Sequence, residues 1–205
     1  MHIVDGALSN PVVIAGTAMA IGGIAMGLKQ LTLERIPATG ILSASFFVAA
    51  LIHVPIGPSS VHLVLNGLAG LILGWAAFPA LFVGLLLQTV FFGFGGVTVI
   101  GVNLLNIAAP AVLAWLLFGR LVERGTPMSG AIWAGVGGSF SIAATTICVA
   151  FSLALTGDEF IPAAKLVLLA HIPVMVIEAL LTGAAVYLVR QVRPDLFTAV
   201  KGVAP

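Results

Sequence analysis

A chain of 205 residues that is 60% hydrophobic and only 7% charged, with a mean hydropathy of +1.22, carries too little charge for a water-soluble domain of its size. It reads as a polytopic membrane protein. The net charge of +1 says nothing about partners, the chain has no basic tract for nucleic acid, and a single cysteine, Cys148, excludes an internal disulfide or a cysteine metal cluster. No polar stretch is long enough for a soluble domain. The expected organisation is therefore one transmembrane domain over 1–205: an N-terminal segment at 1–10, a helix bundle over 11–189 and a tail at 190–205.

The chain opens with Met1-His2-Ile3-Val4-Asp5-Gly6 and lacks the basic region of a secretory signal. A bulky second residue generally prevents removal of the initiator methionine, so a free α-amine on Met1 is expected. That amine, the His2 backbone nitrogen and the His2 imidazole close two fused chelate rings on one ion. Three nitrogens in a plane suit Ni(II) or Cu(II), and a fourth completes the square. The competing reading is a histidine on a frayed terminus.

Ser9-Asn10-Pro11 signals a helix start, and the first predicted helix covers 11–28. Its small residues recur four apart: Gly16 and Ala20, Ala18 and Gly22, Gly23 and Gly27. Such spacing admits close approach of another helix, either a docked partner subunit or a neighbour within the bundle. A link with Lys29, Glu34, Arg35 and Pro37 leads to a short second helix at 39–52. Two prolines and a glycine make 53–60 a loop. The third helix is expected at 61–73, a turn at 74–79, a fourth helix to 92 and a glycine-rich break at 93–96. The fifth helix covers 103–118, a link with Arg120, Glu123 and Arg124 follows, the sixth covers 128–155 and the seventh 162–189.

Seven helices put the termini on opposite sides. Seven of the eight Lys and Arg then share one face, all but Lys165. The excess of positive charge marks that face as cytoplasmic, with the N-terminus outside and the C-terminus inside. The predicted fold is all-α: a seven-helix integral membrane bundle in the cell (inner) membrane.

There are four histidines: His2, His53, His62 and His171. His62, at the predicted start of the third helix and on the N-terminal side, is expected to supply the fourth nitrogen, since neutral imidazole is the commonest metal ligand. The alternative is an interfacial cap. His53, Ser60, Asp5 and Asn103 are candidates for supporting the ligands or lining the path by which the ion arrives; Asn106 is a further hydrogen-bond candidate. A solvated loop residue is an equally good reading of His53. His171 and Glu178 share a helix face within the hydrocarbon, where ionisable groups are functional candidates. His171 lies ~13 Å of rise below its helix start, away from the metal, so both read as polar glue between helices. No phosphate loop, Gly-x-Ser-x-Gly elbow or HExxH occurs, so hydrolysis of ATP is not expected of this chain.

The opening Met1-His2-Ile3-Val4-Asp5-Gly6, the turn Gly57-Pro58-Ser59-Ser60-Val61-His62, and Phe94-Gly95-Gly96-Val97-Thr98 with Gly101-Val102-Asn103 resemble the CbiM/NikM family. These are the substrate-capture membrane components of energy-coupling-factor transporters for cobalt and nickel. The resemblance runs from Met1 to about residue 189. It implies a metal held by the Met1 amine, the His2 backbone nitrogen, the His2 imidazole and His62. It also implies a transmembrane coupling subunit, cytoplasmic ATPase subunits that use the ATP, and a small accessory membrane subunit. This chain has Ala7-Leu8-Ser9 where many members carry a larger residue, which bears on subgroup and not on ligands. The expected function is capture of Co(II) or Ni(II), with no cofactor of its own. Supply to cobalamin synthesis argues for cobalt, while amide-nitrogen coordination suits nickel. Two alternatives are a self-sufficient secondary carrier, which moves its solute without ATPase partners, and a membrane scaffold, which binds no metal.

Overall fold

The computed structural model describes residues 2–51, 53–56 and 59–198, the side chains of 53–56, 59–61 and 198 excepted. Among these, α1 (Asn10–Lys29) and α2 (Ile36–Ala49) are followed by a short antiparallel pair, β1 (His53–Ile56) and β2 (Ser59–His62). Then come α3 (Asn66–Leu73), α4 (Ala77–Phe92), α5 (Ile100–Glu123), α6 (Pro127–Ala154), α7 (Ile161–Ala170), α8 (Ile172–Val192) and α9 (Asp195–Thr198). Prolines open α1, α2, α6, α7 and α8, where a missing N–H costs no helical bond. At α6 the Thr126 hydroxyl adds a cap, accepting from Ser129 N at 3.2 Å.

By length and composition, five stretches suffice to cross a membrane: α1, 66–92, α5, α6 and α8. The second of these does not run straight. A 27-residue helix would part its ends by ~40 Å, yet the His2 ring lies 4.6 Å from the His62 ring before it and 6.2 Å from the Phe94 ring after it. The chain turns back at Gly74 (φ 59°, ψ −129°), which continues into a 3-10 turn to Ala76. A side chain is disfavoured there by the positive φ and by the Trp115 ring beside it. The expected turn at 74–79 is therefore a real hairpin between α3 and α4.

Two predicted boundaries are corrected. The third helix does not begin at 61: His62 ends β2, and α3 starts only at Asn66. Leu65 sits in the left-handed region (φ 54°, ψ 21°), and the amides of Val64 and Leu65 bond a side chain from α8 instead of a helical carbonyl. The seventh helix is two, interrupted at His171 (φ −88°, ψ −6°). Pro173 has no N–H to return to Leu169 and crowds that carbonyl.

α6 packs lengthwise between α5 and α8, and glycines set the spacing: a Cβ on Gly138 would press on Thr182 of α8, and one on Gly67 of α3 would press on Gly138. α1 lies at the edge against α5 and α4. Gly16, Ala20, Gly23 and Gly27 share its inward face; added side chains would strike Val102 at Gly16, the Phe78 ring at Gly23 and the Trp75 carbonyl at Gly27. Four of the six residues expected to dock a partner thus pack within this chain. The period of 3.6 puts them on one side and leaves Ala18 and Gly22 exposed on the other.

Candidate metal site

Chain reversals bring His2, β2 and the 93–98 loop to the same end of the bundle. The rings of His2 and His62 stack with an interplanar angle of 19°, each side chain only 3% exposed. Phe94 lies against the other part of the cluster, 26° from the His2 ring plane. His62 Nδ1 is 2.8 Å from the Leu63 carbonyl oxygen, a contact that requires Nδ1 to carry the proton. Nε2 is then a bare lone pair, buried without a hydrogen-bond partner among the described residues. An unmet buried acceptor costs about 1–3 kcal/mol, which a bound cation would recover. Burial, and next the positive charge of the N-terminal amine and then that of a protonated His2, holds the His62 imidazole well below the usual histidine range. It is therefore neutral, the form that binds metal, at ordinary pH.

The segment that carries His2 is fixed by its neighbour. Asn103, at the start of α5 and 2% exposed, accepts from Ile3 N and donates to Ile3 O, both at 2.9 Å. One amide thereby saturates both backbone groups of Ile3, whose side chain is fully buried with Leu8, Val99 and Val102. Two glycines make this approach possible. A side chain on Gly95 (φ 76°) would crowd the Asn103 amide at 3.0 Å and His2 Cβ at 3.5 Å, and one on Gly96 would overlap the Asp5 carboxylate.

Asn103 thus supports the opening segment through Ile3, the residue next to His2. Among the described residues Asp5 bonds no imidazole: its Oδ1 accepts from Thr98 N at 3.1 Å and Thr98 Oγ1 at 2.5 Å, tying the opening segment to the 93–98 loop. Asn106 pairs with Ser152 of α6, one turn deeper. His53 stands opposite His62 in the strand register, while its side chain and that of Ser60 are outside the described residues, as is Met1. His171 is fully buried, with Nδ1 on the Val167 carbonyl at 2.7 Å. Among the described residues no group of three or more His, Cys, Asp or Glu side chains is placed to hold a metal. Among the described residues, the imidazoles brought together at this end are those of His2 and His62.

Sequence reasoning missed Phe94 as a wall of the His2 pocket, Thr98 as the partner of Asp5, and the spatial reason for Gly95-Gly96. The signal available was the glycine pair just ahead of Asn103, which marks a close backbone approach.

The family described as "Cobalt uptake substrate-specific transmembrane region" (CbiM) matches residues 2–196. A Haemophilus influenzae protein named "Putative metal transport protein" is 41% identical over 96% of both chains. The "Cobalt transport protein CbiM" of Sorangium cellulosum is 26% identical over 96% of this chain and 94% of its own. The "Fused nickel transport protein NikMN" of Rhodobacter capsulatus is 39% identical over 53% of this chain and 33% of its own. A solved truncated transition metal transporter superposes with a TM-score of 0.75 at 26% identity, covering 93% of this chain and 99% of that one.

Proposed function

The chain belongs to the CbiM family, membrane components of cobalt and nickel transport, and is itself a multi-pass membrane protein; from this premise we propose that it captures Co(II) or Ni(II) at the end of the bundle that holds His2 and His62. The observation that carries this reading is the buried, stacked pair of imidazoles, that of His62 with Nε2 bare, beside a segment locked by Asn103. Four nitrogens make the site: the Met1 amine, the His2 backbone nitrogen, the His2 imidazole and His62 Nε2. Binding releases protons from the first two, since an amine and an amide must both give up a proton to donate a lone pair. An all-nitrogen planar set favours Ni(II) by its preferred geometry. The family's description, a cobalt uptake region, supports cobalt as the cargo, which we read as supply to cobalamin synthesis.

The chain makes seven passes in this reading, with α3 and α4 counted separately because the hairpin at Gly74 returns the chain to its starting side. The histidine end faces outward. Arg35 and Arg190 anchor the opposite end, which the positive charge assigns to the cytoplasm. The chain forms one domain: residues 1–10 bind the ion, 11–189 form the bundle and 190–205 are its cytoplasmic tail. It hydrolyses no ATP itself; a transmembrane coupling subunit, cytoplasmic ATPase subunits and a small accessory membrane subunit supply the drive. A relative whose name describes a fused nickel transport protein supports a second membrane part. The test is calorimetric titration of the detergent-purified full chain with Ni(II) and with Co(II), with and without one residue added before Met1. The extra residue displaces the amine from the fused chelate, and binding collapses; unchanged affinity removes the terminus from the site.

A further inference from the structure

Glu178 sits on α8, more than a hundred residues from His62 in sequence, and is fully buried. Its Oε1 accepts from Val64 N at 2.5 Å and from Leu65 N at 2.8 Å. Both donors fall between His62 and the first turn of α3. The amides that open a helix have no intrahelical acceptor and need one from outside. Here the residue before α3 is Leu65, which offers no side-chain cap and holds a left-handed φ of 54°. The acceptor that the local sequence lacks is delivered by a distant helix.

The Val64 N–H belongs to the same planar peptide unit as the Leu63 carbonyl. That carbonyl is the group that accepts from His62 Nδ1 at 2.8 Å. In a trans peptide the N–H and C=O point in opposite directions. Glu178 therefore pulls on one end of a single peptide group while the His62 ring is held on the other. A carboxylate drawn onto the N–H polarises the peptide and strengthens its carbonyl as an acceptor. The Nδ1–H tautomer is fixed, the ring plane is fixed, and Nε2 becomes the more basic nitrogen. Metal-binding histidines elsewhere gain the same from a carboxylate or carbonyl bonded to the nitrogen opposite the metal.

We propose that Glu178 is a positioning residue for metal capture, acting on His62 through the Leu63–Val64 peptide. The proposal rests on His62 being a ligand. It reassigns a residue that sequence alone reads as glue between helices: its bonds run to the segment that carries the ligand.

The test compares wild type, Glu178→Gln and Glu178→Ala as full-length protein in detergent, with His62→Ala and Thr182→Val as controls. Ni(II) and Co(II) are titrated by calorimetry, absorption of the loaded protein is recorded, and ¹⁵N NMR of the metal-free protein reports the His62 tautomer. Glu178→Ala weakens the Kd by about 10- to 100-fold, the range for such supporting groups, and His62 becomes a mixture of tautomers. Glu178→Gln, which keeps an oxygen toward Val64 and Leu65, restores the single tautomer and most of the affinity. Thr182→Val, one turn inward on α8, changes neither. Should Glu178→Ala fail to fold, Glu178→Asp reads the same contact by withdrawing the acceptor one methylene, with the same direction of change. A Glu178 variant without the contact that melts earlier but keeps wild-type Kd, spectrum and tautomer makes Glu178 purely structural and overturns the proposal. Wild-type protein that takes up no metal, or His62→Ala that binds as wild type does, overturns the site reading itself and this inference with it. Intact wild-type binding that is lost in His62→Ala but unchanged in Glu178→Ala overturns this inference alone.

Discussion

At the end of the bundle that holds His2 and His62, side chains bind the backbone of irregular segments: Asn103 takes both groups of Ile3, and Glu178 takes two consecutive amides. At the other end, Arg35 donates to the Ile72 carbonyl at 2.7 Å, and Arg190 donates to the carbonyls of Glu123, Gly125 and Thr126 at 2.9–3.1 Å. The Ile72 and Glu123 carbonyls lie where α3 and α5 stop, and those of Gly125 and Thr126 lie in the link to α6. A helix C-terminus carries unmet acceptors and negative potential, so a guanidinium there needs no carboxylate partner. One end uses polar groups to place two imidazoles; the other uses them to staple helix ends. Changes at the first should alter metal affinity out of proportion to stability, and changes at the second should do the reverse.

The sharpest break in that contrast is His62→Ala, which removes a ligand nitrogen and should abolish tight Ni(II) or Co(II) binding in calorimetry. His171→Ala should leave the bound stoichiometry intact, because that ring is engaged with Val167 on its own helix. Equal loss in both variants would contradict the assignment.

Asn103→Ala comes next. It frees both backbone groups of Ile3 and should weaken metal affinity by about 10- to 100-fold while the bundle still assembles. Affinity equal to wild type would mean that the opening segment is held by apolar burial alone.

Arg190→Ala tests the opposite end. Loss of hydrogen bonds from a charged, partly exposed group should cost on the order of 1 kcal/mol, read as earlier thermal unfolding in detergent, with the Kd for metal unchanged. A fall in affinity would show that the two ends are energetically linked along α8.

The smallest effect is one of pH. Burial lowers the His62 pKa, so the neutral ring persists below the ordinary histidine midpoint of about 6.5, and protons compete for its lone pair only in more acid solution. Histidine NMR of the metal-free protein should place its titration well below that value. A midpoint near it would put the ring in water.

The features visible in the sequence were those written locally. Low charge made the chain a membrane protein; Pro11 and the glycines at 93–96 marked a helix start and a break; His2 and His62 stood out as candidate ligands on one side, and their rings stack. Some local signals were passed over: Pro173 marks the interruption at His171, and the 16, 20, 23, 27 spacing marks one inward face of α1. The hairpin of β1 and β2 and the late start of α3 were not legible, because the acceptor that holds Val64 and Leu65 comes from residue 178. The role of Asn103 was half legible: an asparagine near the site, with no hint that it binds Ile3 rather than a ligand. A helix period cannot report a bond between residues a hundred positions apart.

X-ray absorption at the metal edge of the loaded full chain tests the central claim most directly, because it reads the donors themselves. The account predicts a first shell of nitrogens with outer scattering from two imidazole rings, reduced to one ring in His62→Ala. A shell dominated by oxygen or sulfur, or imidazole scattering that is the same in His62→Ala, would contradict it.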